Sequence, residues 1–284
     1  MKDPLDKLFQ TMRGKPPACW PWSRAAERGA ALPGDRTGWT VHGDIALRLK
    51  QVSAGAHEAS GGEIGTFKIR LAGSLAARRD ASSLVRRRYA SKGYRPSATG
   101  DASGIWTFAA YDEGRLAGTV SLRLDSPEGL AADGLYRAEI DAIRRDGLKV
   151  CECTRLAVDT SRLSQPVLAG LFHTVYLFAR RIRDFDFLVI EVNPRHVGFY
   201  HRSLGFEVVG DERHNARVGA PAVLLGMPFS AIADHLRRHA GGASRGPAAR
   251  GLYAHGFSAI EEAGVLFRLR ALGAGPAASA GFGD

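Results

Sequence analysis

The stretch that decides the fold reads Asn-Pro-Arg-His-Val-Gly-Phe-Tyr-His-Arg-Ser-Leu-Gly-Phe and spans residues 193–206. It follows residues 187–192, a continuous apolar run of the kind found in a buried strand. Residues 197–204 predict a short helix because Gly205 offers a stop, and a new strand begins at Phe206. A buried strand, a helix and a further strand in this order indicate a domain that mixes helices with a sheet.

Apolar periodicity extends this pattern in both directions along the chain. It predicts strands at residues 67–71, 106–111, 116–124, 150–158, 187–192, from 206 and near 223–225. It predicts helices at residues 75–88, 135–145, 166–181, 197–204 and 257–272. A tight Asp-Glu-Gly-Arg stretch after the second of these strands predicts a hairpin. We therefore expect an α/β fold with a mixed sheet, an α+β arrangement that is antiparallel in its first half and βαβ in its second.

Turn signals and composition divide the chain into three parts. Residues 1–61 show little periodicity and several Pro and Gly turn signals, so we expect a variable lead-in that is disordered in part. Residues 62–238 carry most of the predicted strands and helices, and we expect them to form one domain. Residues 239–284 begin with a linker rich in Gly, Ala and Ser and continue with a helix and a small-residue tail.

The chain of 284 residues carries a formal net charge of +10, and 45% of its residues are hydrophobic, which suits a globular protein with a real core. Arginines occur in clusters such as Arg86, Arg87 and Arg88. These clusters suit an acidic partner, namely nucleic acid, anionic lipid or a small acidic carrier protein, or they form a solvated surface. Net charge alone does not choose among these readings.

Three features of the sequence predict a cytoplasmic location. No apolar run approaches the roughly 20 residues that cross a bilayer. The charged start lacks the apolar segment of a secretory signal. The 3 cysteines are too few and too unevenly spaced for a disulfide framework, so a reducing compartment is expected.

A second informative stretch is Glu-Cys-Thr-Arg-Leu-Ala-Val-Asp, residues 152–159, on a predicted strand. Alternation in that strand places Glu152 and Thr154 on one face and Cys153 and Arg155 on the other. Ionisable side chains in so apolar a run must pair or take part in chemistry, because burying them alone is costly. A carboxylate at this place can accept a proton from an ammonium group. The cysteine pattern favours packing, and no metal site is predicted.

Residues 193–206 resemble a motif of the GNAT acyltransferases, which carry an Asn after their fifth strand, a Tyr seven residues later and then Gly-Phe. Asn193 and Tyr200 keep that spacing, with one extra residue before the Gly-Phe pair. The Glu-x-Thr-Arg pattern that begins at Glu152 is similar to that of acyl-homoserine lactone synthases and of the long-chain N-acyl amino acid synthases. Further pieces, ordered and spaced across residues 66–230, resemble the amino acid synthases more closely.

The resemblance implies a GNAT-like acyl-CoA N-acyltransferase fold with N- and C-terminal extensions. It implies an acyltransferase that moves a long-chain fatty acyl group from an acyl carrier protein thioester to the amine of an amino acid. In such an enzyme Glu152 would be the base that receives the proton of the amine. Tyr200 would protonate the departing thiolate as general acid, or it packs its helix onto the sheet.

The resemblance also suggests residues that bind the amino acid. Arg123 and Arg155 would hold its carboxylate in a bidentate fork or organise the pocket by ion pairing. Asp101, ahead of the strand at 106–111, would correspond to an acidic residue of the homoserine lactone synthases. The remaining substrate-binding candidates from the two motifs are Thr154, Asn193 and His196.

The donor prediction depends on residues 165–170, Gln-Pro-Val-Leu-Ala-Gly, at the start of a predicted helix. GNAT enzymes hold the CoA pyrophosphate on bare backbone amides of a glycine-containing turn at this place. Pro166 lacks an amide hydrogen and Leu168 replaces the first glycine, so a full pyrophosphate cradle is not expected. Acyl-phosphopantetheine on acyl carrier protein needs no cradle and is the predicted co-substrate, with no cofactor bound permanently. The acidic carrier protein would contact the arginine cluster at 86–88.

Four alternatives stay open on the sequence. An acyl-homoserine lactone synthase or a CoA-dependent GNAT acetyltransferase would be a related enzyme. A basic module of the same fold that binds nucleic acid or a carrier protein would not be an enzyme. Nucleic acid is not the expected partner, because aromatic side chains are not interleaved with the arginines as stacking proteins require. For the helix at 257–272 three roles stay open: it caps the domain, it makes a peripheral membrane contact where a lipid product leaves, or it has no function.

Overall fold

The computed structural model describes residues 66–94, 104–159, 165–240 and 251–273, together with the backbone of residues 47–50. In this part of the chain the strands are β1 Leu47–Lys50, β2 Thr66–Leu71, β3 Ile105–Asp112, β4 Arg115–Leu124, β5 Val150–Val158, β6 Phe187–Val192, β7 Glu207–Asn215 and β8 Ala220–Pro228. The helices are α1 Leu75–Ala90, α2 Asp133–Arg145, α3 Gln165–Tyr176, α4 Pro194–Leu204, α5 Phe229–His239 and α6 Ala259–Gly273. A π-helical segment, Leu177–Ile182, continues α3, and a short 3₁₀ helix, Leu252–His255, precedes α6.

The strands form one sheet in the order β1-β2-β3-β4-β5-β6-β8-β7. Neighbouring strands are antiparallel except β5 and β6, which are parallel and joined by the α3 crossover. The β3–β4 hairpin turns at Glu113 and Gly114, which both have positive φ, as two-residue hairpins favour. The mixed α/β sheet and the hairpin that the sequence predicts are therefore confirmed.

The sheet carries an apolar cluster on each face, because successive residues of a strand point to opposite sides. On β6, Leu188 and Ile190 belong to the larger cluster, which includes residues of α3, α4, α5 and α6. Val189, between them, belongs to a smaller cluster with Tyr136 and Ile140 of α2. Helices therefore cover both faces of the central strands, and a ligand reaches this part of the sheet from the strand ends.

Helix α3 lies close to the sheet at Gly170. A Cβ atom at this position would come within 3.0 Å of the side chains of Phe67 and Ile69 on β2. The neighbouring Leu171 and Val175 are completely buried. Gly170 therefore serves helix–sheet packing, because a side chain here would collide with β2.

Two elements extend the packed unit beyond residues 62–238. Strand β1, inside the predicted lead-in 1–61, pairs antiparallel with β2. Helix α6, inside the predicted tail 239–284, buries Val265 and Leu269 in the larger cluster. The rest of the predicted lead-in, and residues 241–250 and 274–284 of the predicted tail, lie outside the described residues.

Helix α5 has no counterpart among the predicted elements. Phe229, Ile232 and Leu236 lie on one face of it and are buried. This i, i+3, i+7 apolar pattern directly after Pro228 is the sequence signal that indicates the helix.

Candidate active site

The parallel strands β5 and β6 separate before they end. Their pairing stops at Cys153 with Ile190, although β5 continues to Val158 and β6 to Val192. A gap therefore opens near the middle of the sheet, between the carboxyl ends of the two strands. Open α/β sheets bind ligands at such places.

Strand β5 carries a bulge beside this gap. In its register with β4, Ser121 faces Thr154 and Thr119 faces Ala157, so two residues of β5 oppose one residue of β4. Arg155, one of the two, has a φ of 53°, a left-handed conformation that costs a non-glycine residue about 1–3 kcal/mol. The bulge ends the strict alternation that predicts opposite faces for Thr154 and Arg155, and both residues line the same cavities.

Two cavities meet at the gap. The first, of about 190 Å³, is here called the aromatic cavity, and its rings belong to Tyr89, Tyr94, Phe172, Phe199 and Tyr200. The second, of about 620 Å³, is called the arginine cavity, and its charged residues are Arg78, Arg79, Arg86, Arg123, Arg155, Arg217, Glu152 and Glu191. Both cavities are bounded by Tyr89, Cys153, Thr154, Arg155 and Glu191. They are therefore two halves of one opening.

Glu152 is the buried carboxylate of the arginine cavity, with 1% of its surface exposed. Its Oε2 atom accepts hydrogen bonds from the backbone N–H groups of Ala131 (2.7 Å) and Ala132 (3.3 Å). Burial raises the pKa of Glu152 from an ordinary 4.5 to about 7, although these two hydrogen bonds lower it. A carboxyl group with a pKa near 7 can take up a proton at neutral pH, as a general base must.

The loop before α2, whose amides bind this carboxylate, is fixed by an ionic network. Arg144 of α2 donates to both carboxylate oxygens of Asp125 (2.7 and 2.9 Å) and of Asp133 (2.8 and 2.8 Å). Asp133 also accepts the backbone N–H of Leu130 at 2.7 Å. Gly129 has a φ of 72°, and a Cβ atom there would lie 2.5 Å from Asp133, so the loop requires glycine at this position.

A second carboxylate, that of Glu191 on β6, lines the same cavity and is not among the predicted site residues. Arg217 donates to its Oε2 at 3.2 Å, and the side-chain amide of Asn215 donates to its Oε1. Asn215 is held in turn, because its Oδ1 accepts the backbone N–H of Arg217 at 2.9 Å. Burial raises the pKa of Glu191, and the charge of Arg217 offsets part of this rise. A charge inside the apolar run of β6 is the sequence signal that indicates this residue.

The structure brings Arg123 and Thr154 to the same place as Glu152. Arg123 lies on β4 directly opposite Glu152 in the register, and it lines the arginine cavity. Within the described ranges no carboxylate forms an ion pair with Arg123. Thr154 lies where β5 leaves β6 and lines both cavities. The predicted set Glu152, Thr154, Arg155 and Arg123 therefore shares one cavity.

Helix α4 carries Asn193 and His196 to the aromatic cavity. Asn193 caps the helix, because its Oδ1 accepts the backbone N–H of Arg195 at 3.3 Å. Its side-chain amide donates to the carbonyl of Pro221 at 3.2 Å. His196 accepts a hydrogen bond at Nε2 from the guanidinium of Arg195 at 3.1 Å. Asn193 therefore has a structural role as the cap of α4, and its predicted role in substrate binding stays a prediction.

Tyr200 lines the aromatic cavity and makes edge-on contacts with the rings of Phe172, Phe199 and Phe206. Burial raises the pKa of Tyr200 well above its ordinary 10, so the phenol stays protonated at neutral pH. The ring contacts agree with the packing role predicted for Tyr200, and the general-acid role stays a prediction for a residue that borders the cavity.

The arginine cluster on α1 does not form one surface. Arg86 lines the arginine cavity and Arg88 lines the aromatic cavity. Arg87, between them, donates to the hydroxyl of Ser83 at 3.0 Å and lines neither cavity. Consecutive residues of a helix point about 100° apart, so the three side chains cannot share one face. Asp101 lies outside the described residues.

Cys153 lines both cavities, and Cys151 is fully buried. Burial raises the pKa of both thiols, so neither is a thiolate nucleophile at neutral pH. In the part of the chain that the structure describes, no group of three His, Cys, Asp or Glu side chains could hold a metal ion. No helix in these ranges combines the length and the apolar character that a membrane span needs.

Three features of the site define a GNAT-type acyltransferase. They are the parallel strand pair that separates within a mixed sheet, the bulged strand beside that separation, and the buried carboxylate in the opening. Comparison with protein families agrees with this class. The chain belongs to the family of the N-acyl amino acid synthase FeeM, whose family model matches residues 80–228. The protein is therefore an enzyme, an acyltransferase of the N-acyl amino acid synthase kind.

The chain is also similar to several solved structures. The structure is similar to that of FeeM, an N-acyl amino acid synthase from uncultured soil microbes, with 29% identity and a TM-score of 0.54 over 58% of this chain and 92% of that chain. The AHL synthase LasI aligns with 12% identity and a TM-score of 0.43, over 59% of this chain and 91% of that chain. An N-acetyltransferase from Staphylococcus aureus Mu50 aligns with 12% identity and a TM-score of 0.41, over 58% and 98%. No curated protein sequence matches the chain.

Proposed function

We propose that the protein transfers a long-chain fatty acyl group from an acyl carrier protein thioester to the amine of an amino acid. The observation that carries this proposal is the pairing of two unlike cavities at the β5–β6 gap. The aromatic cavity suits an apolar acyl chain, and the arginine cavity suits a small charged acceptor beside a buried carboxylate. The acyl carbonyl and the amine would meet at the shared boundary.

The start of α3 supports a carrier-protein donor over CoA. Pro166 is the second residue of the helix and has no amide hydrogen to offer a phosphate. Gly170, the glycine that remains in this stretch, packs against β2 rather than facing a ligand. A CoA pyrophosphate would therefore lack one of the bare amides that usually hold it at the start of this helix. Phosphopantetheine on a carrier protein brings no pyrophosphate to this turn. On this proposal it is the co-substrate, and no cofactor is bound permanently.

Proton transfer would begin with the ammonium group of the amino acid. The carboxylate of Glu152 takes one proton, and the neutral amine attacks the thioester carbonyl carbon. A backbone amide of the β5 bulge would stabilise the negative charge that develops on the carbonyl oxygen. The carbon–sulfur bond then breaks, the nitrogen loses its second proton, and the thiolate gains one. The products are an amide and a free thiol, and Glu152 returns its proton to solvent.

Tyr200 would act on the leaving thiolate as a hydrogen-bond donor. Its raised pKa lies far above the value of about 8.5 that is ordinary for a thiol, so complete proton transfer from Tyr200 is uphill. A hydrogen bond from the phenol still lowers the energy of the departing sulfur. The proton itself can come from the attacking nitrogen through water.

Basic residues at the rim of the aromatic cavity support docking of an acidic carrier protein. Arg88 and Lys92 of the α1 end line this cavity together with Arg195 of α4. The guanidinium of Arg195 lies 5.6 Å from the ring centre of Tyr94. Of the cluster at 86–88, Arg88 is the residue on this rim, and Arg86 faces the acceptor side.

Reversing the charge of this rim is expected to slow transfer from the carrier protein selectively. The double variant Arg88→Glu with Arg195→Glu should lower kcat/KM for acyl carrier protein by about 10- to 100-fold at low salt, because steering of an acidic partner is lost. The rate with a small acyl-pantetheine thioester should stay nearly unchanged. Arg87→Glu is the matched control, since it changes the same helix outside both cavities. Equal losses with both donors would argue against docking at this rim.

Phe172 is expected to limit the acyl chain length. Its side chain lines the aromatic cavity and also a small interior cavity of about 20 Å³, whose other lining includes Leu188, Phe229 and Ile232. Phe172→Ala joins the two spaces and should move the preferred chain about two to four carbons longer, because each buried CH₂ adds about 0.8 kcal/mol. Mass analysis of products from an equimolar mixture of acyl carrier proteins measures the shift. Leu171→Ala, which opens space in the core outside both cavities, controls for loosened packing. An unchanged product distribution in Phe172→Ala would remove Phe172 as the limit.

Peripheral membrane contact and a cytoplasmic location belong to the same proposal, since the product is an amphiphile. Two large apolar side chains of α6 support such a contact, Ile260 with 86% and Phe267 with 77% of their surface exposed. They are seven residues apart and therefore share one face of the helix.

Donor competition tests the proposal. The purified protein is supplied with an amino acid and equal concentrations of palmitoyl carrier protein and palmitoyl-CoA, one of them isotope-labelled. We expect product mainly from the carrier protein. Faster transfer from palmitoyl-CoA, or efficient acetyl transfer from acetyl-CoA, would contradict the proposed donor.

A further inference from the structure

The β6 wall of the arginine cavity carries a connected set of three side chains, Glu191, Asn215 and Arg217. Asn215 is 3% exposed and bonds both of the others, so it fixes their relative positions. Arg217 donates to Glu191 through one terminal nitrogen at 3.2 Å. Within the described residues the guanidinium makes this one hydrogen bond. Its Nε–H group and its other terminal nitrogen are therefore available to a ligand.

This set faces Glu152 across the gap. Glu191 follows Ile190, the last residue of β6 that pairs with β5, so it lies on the side of the opening that β6 forms. Glu152 precedes Cys153, the last such residue of β5. Both glutamates line the arginine cavity, and the charge of Arg217 reaches Glu152, whose pKa it lowers. An acceptor between these walls would touch both.

The charges of the arginine cavity call for an anionic ligand. Six arginines line it, against the carboxylates of Glu152 and Glu191. Arg78 donates to the backbone carbonyls of Ala72 and Gly73, and Arg217 is ion-paired with Glu191. A ligand that brings one carboxylate would reduce the excess of positive charge.

We propose that Arg217, oriented by Glu191 and Asn215, binds the α-carboxylate of the acceptor amino acid. The inference rests on the proposed function and deepens it by assigning the acceptor's carboxylate to a residue. A guanidinium offers two parallel N–H donors, which match the geometry of a carboxylate. Arg123 is less suited, because it lies on β4, on the side of β5 away from the gap. With its carboxylate on Arg217, the acceptor would present its amine toward Glu152 and the thioester.

The experiment compares acceptors that differ only at the carboxylate. The amino acid that gives most product among the twenty standard ones is assayed beside its carboxamide, with one acyl carrier protein donor. Arg217→Met should lower kcat/KM for the acid by about 10- to 100-fold, mainly through KM, as expected for the loss of a charged hydrogen bond. The rate for the carboxamide should fall much less, so the ratio of acid to carboxamide kcat/KM should drop by about tenfold or more. Arg217→Lys keeps the positive charge but not the two parallel N–H donors, so its kcat/KM for the acid should lie between those of Arg217→Met and the wild type.

Arg213→Met is the matched control. Arg213 lies on β7, four residues before Arg217, is similarly half-exposed and is also ion-paired, but its partner is Glu139 and it does not line the cavity. Its ratio of acid to carboxamide rates should equal that of the wild type. An unchanged ratio in Arg217→Met, or the same change in Arg213→Met, would overturn the assignment.

Calorimetric titration of the same acid and carboxamide, without donor, separates this inference from the proposed function. If no acyl group is transferred from a carrier protein donor, titration of the amino acids and their carboxamides still measures carboxylate binding at this site. The wild type should bind one or more of the twenty amino acids more tightly than the corresponding carboxamide, and Arg217→Met should lose that preference. Equal binding of acid and carboxamide by the wild type, or no binding of either, would contradict the site.

Discussion

Replacing Glu152 by Gln is expected to lower kcat by about 10²- to 10⁴-fold, the range that a general base contributes. The fold should survive the change, because the Gln carbonyl can still accept the two backbone hydrogen bonds that Ala131 and Ala132 give to Glu152. Steady-state rates with acyl carrier protein and the amino acid measure the loss. A thermal melt verifies that the variant is folded.

The pH dependence of kcat/KM and of stability provides a second test of the role of Glu152. Because the base must be ionised, kcat/KM of the wild type should rise with pH and reach half its plateau near the pKa of about 7. The folded state holds its proton to higher pH than the unfolded chain, where the pKa is about 4.5. The contribution of Glu152 to stability should therefore fall by about 3 kcal/mol as the pH rises from about 4.5 to 7 and then level off. In Glu152→Gln both dependences should disappear.

The matched control for this variant is Glu207→Gln. Glu207 lies on β7 with 45% of its side chain exposed and does not line either cavity. Its replacement should leave the rate and its pH profile unchanged. Full activity in Glu152→Gln would remove Glu152 as the base, and Glu191 would then be the carboxylate to test next.

Replacing Arg144 by Met is expected to destabilise the protein by about 3 kcal/mol or more. The change removes four hydrogen bonds to Asp125 and Asp133 and leaves the carboxylate of Asp133, whose side chain is 4% exposed, without its cation. For a domain of this size the melting temperature should fall by roughly 6–12 °C. Burial raises the pKa of Asp133, but the bonds from Arg144 and from the N–H of Leu130 outweigh it and hold that pKa below its usual range.

The same variant should also affect the chemistry. Without Arg144 the loop before α2 loosens, and the amides of Ala131 and Ala132 hold Glu152 less firmly. Those bonds lower the pKa of Glu152, so its pKa should rise and the activity profile should move to higher pH. Arg145→Met is the control, because Arg145 is exposed and bonds one backbone carbonyl, that of Asp141. A melting temperature equal to that of the control would show that the network does not carry this stability.

The sequence predicts the sheet well because its strands have strong local patterns. The β3–β4 hairpin follows from alternation around a Gly turn, and the buried β6 follows from an apolar run. Glu152 is also predictable, since a charge within an apolar strand must have a partner or a task.

The shape of the site is less predictable, because it depends on long-range register. No glycine marks the bulge at Arg155, where a non-glycine residue adopts a positive φ. The set of Glu191, Asn215 and Arg217 forms only when β8 pairs with β6 and so brings the end of β7 and the β7–β8 turn to Glu191. Local patterns carry no information about that approach. The arginines at 86–88 look like one patch in the sequence, but the helix distributes them around its axis.

A single-turnover experiment with palmitoyl carrier protein tests the central claim, direct transfer between the two cavities, most directly. The enzyme, in excess over the donor, is followed by intact mass with and without the amino acid. We expect one free thiol for each amide formed, release of thiol only when the amino acid is present, and no acyl group on the enzyme. A covalent acyl-enzyme, or thiol release without amide, would contradict direct attack at the β5–β6 gap.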